Sequence, residues 1–119
     1  MQTTAWEPAR IAALLEAFNR DGYALMPGVF GTGEVGEMKA AVDQAFREAE
    51  AEQSDRLYGP YILVRLFESN RLFRDLLVRE PIIGVMEALL GPDCHLVANN
   101  VVRNRPGEAI AHFHVDDLL

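Results

Sequence analysis

The spacing of apolar residues changes from helical to strand-like after Gly91-Pro92, and this change constrains the fold more than any other feature of the chain. Before it, apolar residues recur every three to four positions in four segments, which predicts amphipathic helices. After it, β-branched and polar residues alternate, which is typical of strands. A series of helices that leads into strands predicts an α+β fold.

The boundaries of the predicted elements follow from residues that begin or end them. Pro8 suits a first helical turn, Gly22 suits a helix end, and Thr32 is a good N-cap. The predicted helices are residues 7–20, the segment from Thr32 to about residue 52, the segment from Ser69 or Asn70 to Leu77, and residues 82–90 after Pro81. The predicted strands are residues 23–26, 61–67, 94–105 and 109–116, with a loop at 53–60 and a turn at Pro106-Gly107.

Length and composition limit the classes of protein that fit. With 119 residues, the chain is expected to form one domain, 1–119. Its 11 basic and 18 acidic residues give a net charge of −7, which argues against nucleic-acid binding because phosphates need a basic surface. Cys94 is the only cysteine, which excludes an intrachain disulfide and a cysteine-based zinc site. The sequence suggests neither a signal peptide nor a membrane span, so a cytoplasmic location without membrane association is expected.

The motif that suggests chemistry is His114-Val115-Asp116. In an extended segment, side chains two apart lie on the same face, so the His114 imidazole and the Asp116 carboxylate can bind one metal ion. They are two thirds of the 2-His-1-carboxylate set that holds Fe(II) in oxygenases and leaves positions open for oxygen chemistry. A solvated histidine and aspartate near a loop end is the alternative, and the motif by itself favours that alternative.

This motif ends an ordered series of short motifs. They are Phe18-Asn19-Arg20-Asp21-Gly22-Tyr23, Pro27-Gly28-Val29-Phe30, Glu34-Val35, Gly91-Pro92-Asp93, Asn104-Arg105-Pro106-Gly107 and Phe113-His114-Val115-Asp116. Their order and rough spacing resemble those of the phytanoyl-CoA dioxygenase family along nearly the whole chain. No single motif is specific, and the ordered set is considerably stronger than any of its members.

The resemblance implies a double-stranded β-helix, which is a jelly-roll or cupin-like barrel, with Fe(II) and 2-oxoglutarate as cofactors. It implies a dioxygenase that hydroxylates an unactivated C–H bond of a small-molecule or acyl substrate, with O2 consumed and succinate and CO2 released. By this analogy His114 and Asp116 are the first two iron ligands. The family's third ligand, a histidine, and the arginine that pairs with 2-oxoglutarate are expected beyond Leu119. The chain is therefore expected to be the N-terminal part of the domain, truncated after the first part of the barrel and inactive by itself.

The residues around the motif refine this expectation. Related iron halogenases carry a small residue at the position of Asp116, so the chain resembles the hydroxylases. His112 lies two residues before His114 and is expected on the same face of the strand. It is expected to contact an iron-binding residue or the substrate, or to be exposed, and not to bind iron itself. Asp117 points the other way in an extended chain, which favours a surface position or a supporting contact, although a backbone turn can exchange it with Asp116.

Four residues are expected to lie near 2-oxoglutarate or the substrate. Asn99, Val101 and Arg103 share one face of the predicted strand at 94–105, and in the similar enzymes this strand lies beside the co-substrate. Asparagines that satisfy an irregular strand edge are an equally good interpretation. Arg65 lies within an otherwise apolar strand, at about the place where family members carry a basic residue near 2-oxoglutarate. A salt bridge to a surface glutamate is the alternative for Arg65.

Two other functions remain open on the sequence. The residues from His112 to Asp116 match most of an H-x-H-x-D-H zinc motif, which suggests a metallohydrolase, but Asp117 replaces its last histidine. The many predicted helices before the motif are also not typical of that fold. The second alternative is an inactive fragment with a structural or interaction role, because a truncated barrel exposes strand edges and an open core face.

Overall fold

The computed structural model describes residues 4–108, which form an α+β arrangement of helices around a small antiparallel sheet. In chain order the elements are α1 (Pro8–Asp21), α2 (Thr32–Ala51), β1 (Leu57–Tyr58), β2 (Ile62–Leu63), a 3-10 turn (Leu66–Glu68), α3 (Arg71–Leu77), α4 (Ile82–Leu90) and β3 (Val101–Val102). The four predicted helices are confirmed, and the α+β class is confirmed with them. Within residues 4–108, no helix is long and apolar enough to cross a membrane.

The ends of the helices show why the sequence predicts them well. Gly22 adopts a left-handed conformation (φ 79°) after α1, and its N–H donates to the Phe18 carbonyl at 2.8 Å. The Asn70 side chain caps α3 by accepting a hydrogen bond from the Leu72 N–H at 2.9 Å. The start of α2 differs from the prediction, while the other helix ends fall within about one residue of it. Its N-cap is Gly31 and not Thr32, because the Glu34 carboxylate reaches back to accept the Gly31 N–H at 3.3 Å.

The sheet has the order β1-β2-β3, with β2 in the centre and both pairs antiparallel. Leu63 of β2 lies opposite Leu57 on one side and Val101 on the other. Further backbone hydrogen bonds lengthen the pairing: Val64 N–H to the Arg56 carbonyl, Arg103 N–H to the Tyr61 carbonyl, and Leu66 N–H to the Asn99 carbonyl, at 2.8–2.9 Å.

The predicted strands are partly wrong. Residues 23–26 form no strand, and Tyr23 and Leu25 are exposed there, because an extended segment becomes a strand only when another segment pairs with it. The strand predicted at 61–67 is limited to Ile62–Leu63, since the chain turns at Arg65 into the 3-10 turn. The predicted loop at 53–60 contains β1, and the strand predicted at 94–105 is limited to Val101–Val102. The predicted segment 109–116 lies outside the described residues.

The main core forms where α2 packs on one face of the sheet. Ala45, Phe46 and Ala49 of α2 are buried against Leu63 of β2, together with Leu66 and Phe73. Val101 is half-buried on the edge of this cluster. Phe46 and Leu63 are the largest fully buried side chains among the described residues. The core therefore fixes the position of β3 relative to α2.

A half-buried ion pair joins the start of α2 to the segment between α3 and α4. The Arg79 guanidinium donates to both carboxylate oxygens of Glu34 and, at 3.3 Å, to the Val29 carbonyl. It also lies over the Phe30 ring, 5.1 Å from the centroid. The side chains of Arg79 and Glu34 are only 12% and 13% exposed, so this pair is shielded from solvent more than the other ion pairs described.

The Glu34–Arg79 pair is expected to make folding stability depend on pH. The hydrogen bond from Arg79 holds the pKa of the Glu34 carboxyl below its ordinary value; burial opposes this effect and the Gly31 N–H adds to it. A depressed pKa in the folded state stabilises the protein above the ordinary pKa, and this contribution is lost as the pH falls through the lowered value. We expect Glu34→Gln to lower Tm at pH 7, and the deficit relative to the wild type to shrink as the pH is lowered towards 3. A deficit that stays constant over this range would contradict the assignment.

Candidate functional site

The predicted metal ligands lie outside the part of the chain that the structure describes. His114 and Asp116 fall in residues 109–119, as do His112 and Asp117. Within residues 4–108, no group of three or more His, Cys, Asp or Glu side chains could hold a metal ion. Of the predicted site residues, the structure describes the four candidate neighbours of 2-oxoglutarate or the substrate, which are Arg65, Asn99, Val101 and Arg103.

Arg65 lies directly after β2 and has a left-handed backbone (φ 53°, ψ 48°), which is uncommon for a residue other than glycine. Its guanidinium contacts two carboxylates, Asp55 at 3.1 Å and Glu68 at 3.6 Å, and its side chain is 46% exposed. A salt bridge to a surface glutamate, the alternative that the sequence offered, is therefore observed. A role for Arg65 towards 2-oxoglutarate stays a prediction.

Asn99 lies beside the 3-10 turn that follows Arg65. Its carbonyl accepts the Leu66 N–H at 2.8 Å, which ties the chain before β3 to the chain after β2. Its side-chain oxygen, Oδ1, is buried, and no hydrogen-bond partner for it is found among the described residues. A buried carbonyl oxygen without a partner is unfavourable by about 1–3 kcal/mol, which makes Asn99 a position that calls for an explanation.

Val101 and Arg103 lie on the face of β3 that is turned towards α2. Val101 packs on the core cluster, and the Arg103 guanidinium lies over the Phe46 ring, 4.0 Å from the centroid. Arg103 also contacts carboxylates of α2, Glu50 at 3.2 Å and Asp43 at 4.0 Å. These contacts explain why an arginine is accommodated beside the core: its stem covers apolar surface while its charge is paired.

The burial of this segment alternates with the period that the sequence predicts. Asn99, Val101 and Arg103 are half-buried, whereas Asn100, Val102 and Asn104 are exposed. The structure thus places the first three residues on one face of the chain, and it brings Arg65 close to Asn99 through the Leu66–Asn99 hydrogen bond. It does not bring Arg65 and Arg103 to a shared carboxylate, since each contacts its own acidic partners.

Two clefts lie elsewhere in the described part. One, of about 500 Å³, is lined by Glu34, Met38, Arg71, Leu72, Asp75, Leu76, Val78 and Arg79. The other, of about 290 Å³ and largely apolar, lies between α1, α4 and residues 22–26. Neither contains a predicted site residue. The pairing of Arg79 with Glu34 was not predictable from the sequence, because 45 positions separate the two residues. An acidic residue near a helix start is already a sufficient explanation for Glu34.

No protein-family model, curated protein or solved structure matches this chain.

Proposed function

We propose that this chain belongs to an Fe(II)- and 2-oxoglutarate-dependent dioxygenase that hydroxylates an unactivated C–H bond of a small-molecule or acyl substrate. The observation that carries the proposal is His114-Val115-Asp116 at the end of an ordered series of motifs that resembles the phytanoyl-CoA dioxygenase family. The described α+β arrangement is consistent with it, because the chain begins with two helices and its last described strand, β3, lies at an edge of the described sheet just before the motif.

The two faces of the sheet support a barrel as the complete fold. One face packs on α2, and the other carries apolar or aromatic residues that are largely exposed: Tyr58 at 60%, Val102 at 48% and the half-buried Ile62. A sheet with apolar residues on both faces needs a second layer to cover the outer one. Further strands of a jelly roll would provide that layer.

The proposed ligands fit the metal by their chemistry. An imidazole such as that of His114 offers a ring nitrogen, and a carboxylate such as that of Asp116 offers a charged oxygen, which is the combination that non-haem Fe(II) oxygenases use. The iron, when bound, supplies the oxygen chemistry that 2-oxoglutarate drives. The chain contributes the position of the two ligands and the residues that receive the organic acid.

Arg65 is the described residue that fits the dianionic 2-oxoglutarate best. Its contacts with Asp55 and Glu68 are partly exposed, and ion pairs of that kind contribute only about 0–1 kcal/mol, so a carboxylate of the ligand can replace them at low cost. Arg103 fits less well, because the Phe46 ring and Glu50 hold it against α2. We therefore propose that Arg65 binds 2-oxoglutarate and that Arg103 stabilises the packing of β3 on α2.

The proposal is tested by anaerobic titration of the full-length protein with Fe(II) and then with 2-oxoglutarate. We expect a weak visible charge-transfer band to appear only when both are present, and 2-oxoglutarate to be consumed once air is admitted. Binding of Zn(II) with hydrolytic activity, and no response to 2-oxoglutarate, would favour the metallohydrolase. Absence of any metal binding would favour a structural or interaction role.

A further inference from the structure

The Glu68 carboxylate lies between two arginines, at the 3-10 turn that follows β2. Its Oε1 atom is 3.6 Å from Arg65 Nη1, and its Oε2 atom is 4.0 Å from Arg56 Nε. Arg56 precedes β1 and Arg65 follows β2, and the antiparallel pairing of these strands brings both arginines to the same end of the hairpin. The Val64 N–H, which donates to the Arg56 carbonyl at 2.9 Å, extends that pairing. The structure therefore shows one carboxylate held between two guanidinium groups.

Glu68 is a weak partner for both arginines. Its distances to them exceed the roughly 2.7–3.2 Å of an N–H···O hydrogen bond. Its backbone is fixed in the 3-10 turn, where its N–H donates to the Arg65 carbonyl at 2.9 Å, and its side chain is 41% exposed, so that water weakens the ion pairs. A carboxylate that is not tethered to this turn can approach the guanidinium groups to about 2.7–2.9 Å, the distance of a charge-assisted hydrogen bond.

The two arginines are held in place by contacts other than those with Glu68. Arg56 Nη1 donates to Ser69 Oγ at 2.7 Å, and the Arg56 side chain is only 14% exposed. Arg65 Nη2 donates to the Asp55 carboxylate at 3.1 Å. Both guanidinium groups therefore keep a partner when Glu68 moves away. A ligand that replaces Glu68 meets groups that are already ordered, which lowers the entropic cost of binding.

We propose that Arg56 and Arg65 form a binding site for one carboxylate of a small organic acid, and that the ligand binds there in exchange for Glu68. Once Glu68 is displaced, the two arginines and Asp55 carry one net positive charge, which matches a single carboxylate better than a doubly charged phosphate. The acid is 2-oxoglutarate, and this identification rests on the proposed function, whereas the carboxylate site itself does not. Arg56 thus joins Arg65 in binding the acid, and Glu68 limits how tightly it binds.

The site is tested by isothermal titration calorimetry of the full-length protein with glutarate, in a buffer that contains a metal chelator. Glutarate has the two carboxylates of 2-oxoglutarate but lacks the 2-oxo group, so its binding does not require iron. We expect Glu68→Gln to tighten glutarate binding about two- to fivefold, because it removes a competing carboxylate whose ion pairs are partly exposed. Glu50→Gln is the matched control and is expected to bind like the wild type, since Glu50 is a partly exposed glutamate that contacts a different arginine, Arg103.

The role of Arg56 is tested in the same titration. Arg56→Gln is expected to weaken glutarate binding at least about 10-fold, because it removes a charged hydrogen-bond donor. Because Arg56 also holds Ser69, Tm is measured for each variant, and the double variant with Glu68→Gln separates folding from binding. If both residues act on the same carboxylate, Glu68→Gln no longer tightens binding once Arg56 is replaced. Inorganic phosphate is added as a competitor at constant ionic strength, and displacement of glutarate as effective as that by 2-oxoglutarate would overturn the preference for a carboxylate.

The outcomes separate the inference from the proposed function. If Glu68→Gln binds glutarate no more tightly than Glu50→Gln, or if no variant binds it, the two-arginine site is wrong. The proposed function then stands or fails by the charge-transfer band of the wild type with Fe(II) and 2-oxoglutarate. If Glu68→Gln tightens glutarate binding but that band does not appear, the carboxylate site stands and the proposed function fails.

Discussion

Replacing His114 by alanine is expected to abolish the Fe(II)-dependent consumption of 2-oxoglutarate and to weaken Fe(II) binding by at least about 100-fold. Loss of a group that merely supports a metal-binding histidine already costs about 10- to 100-fold, so loss of the ligand itself should cost more. Affinity is measured by anaerobic titration and turnover by succinate release. His95→Ala is the matched control, because His95 is an exposed histidine on the chain before β3. Equal behaviour of the two variants would exclude His114 as a ligand.

The same experiment decides between the two adjacent aspartates. Asp116→Asn keeps the size of the side chain but removes the charge that Fe(II) prefers, and we expect it to behave like His114→Ala. Asp117→Asn is expected to change affinity by less than a few-fold, because alternate residues of an extended segment point to opposite faces. If Asp117→Asn has the larger effect, the backbone reverses the two positions, and the ligand assignment moves to Asp117.

The parts of the fold that depend on local chemistry were predictable from the sequence. Gly22 ends α1 and Asn70 caps α3 because a left-handed residue and a side-chain acceptor satisfy the nearest helix ends. The short strands were harder, since Leu57 and Tyr58 become β1 only by pairing with residues beyond a turn. Tyr23 to Met26 has the composition of a strand, yet no described segment pairs with it.

In the candidate site, too, local features were predictable from the sequence and contacts between distant residues were not. The alternation of Asn99, Val101 and Arg103 was predictable because it is a local period, and the burial of these residues follows it. That Arg103 pairs with Glu50 and covers Phe46 was not, because these contacts join residues more than 50 positions apart. Arg103 is a candidate neighbour of 2-oxoglutarate or the substrate on the sequence; its described side-chain contacts are with α2, and the candidate role stays a prediction. The function inferred from His114 and Asp116 stays a proposal.

Truncation of Phe46 to alanine is expected to destabilise the protein by about 3–5 kcal/mol, the largest effect on stability that the described part predicts. Phe46 is fully buried where α2 meets β2, and it packs with Leu63, which is also fully buried. The substitution removes buried apolar area and leaves a cavity, and it also removes the ring under the Arg103 guanidinium. The measurement is the free energy of unfolding from urea denaturation with a two-state fit.

Val35→Ala is the matched control for this experiment, because Val35 lies on the same helix but is 50% exposed. We expect it to change the free energy of unfolding by less than about 0.5 kcal/mol. Phe46→Leu separates burial from the aromatic contact, since it keeps an apolar side chain but removes the ring, and it should cost clearly less than alanine. If Phe46→Ala costs no more than Val35→Ala, α2 does not pack on the sheet through Phe46. Since Val101 and Arg103 are held through that contact, the position of Asn99 would then be unsupported as well.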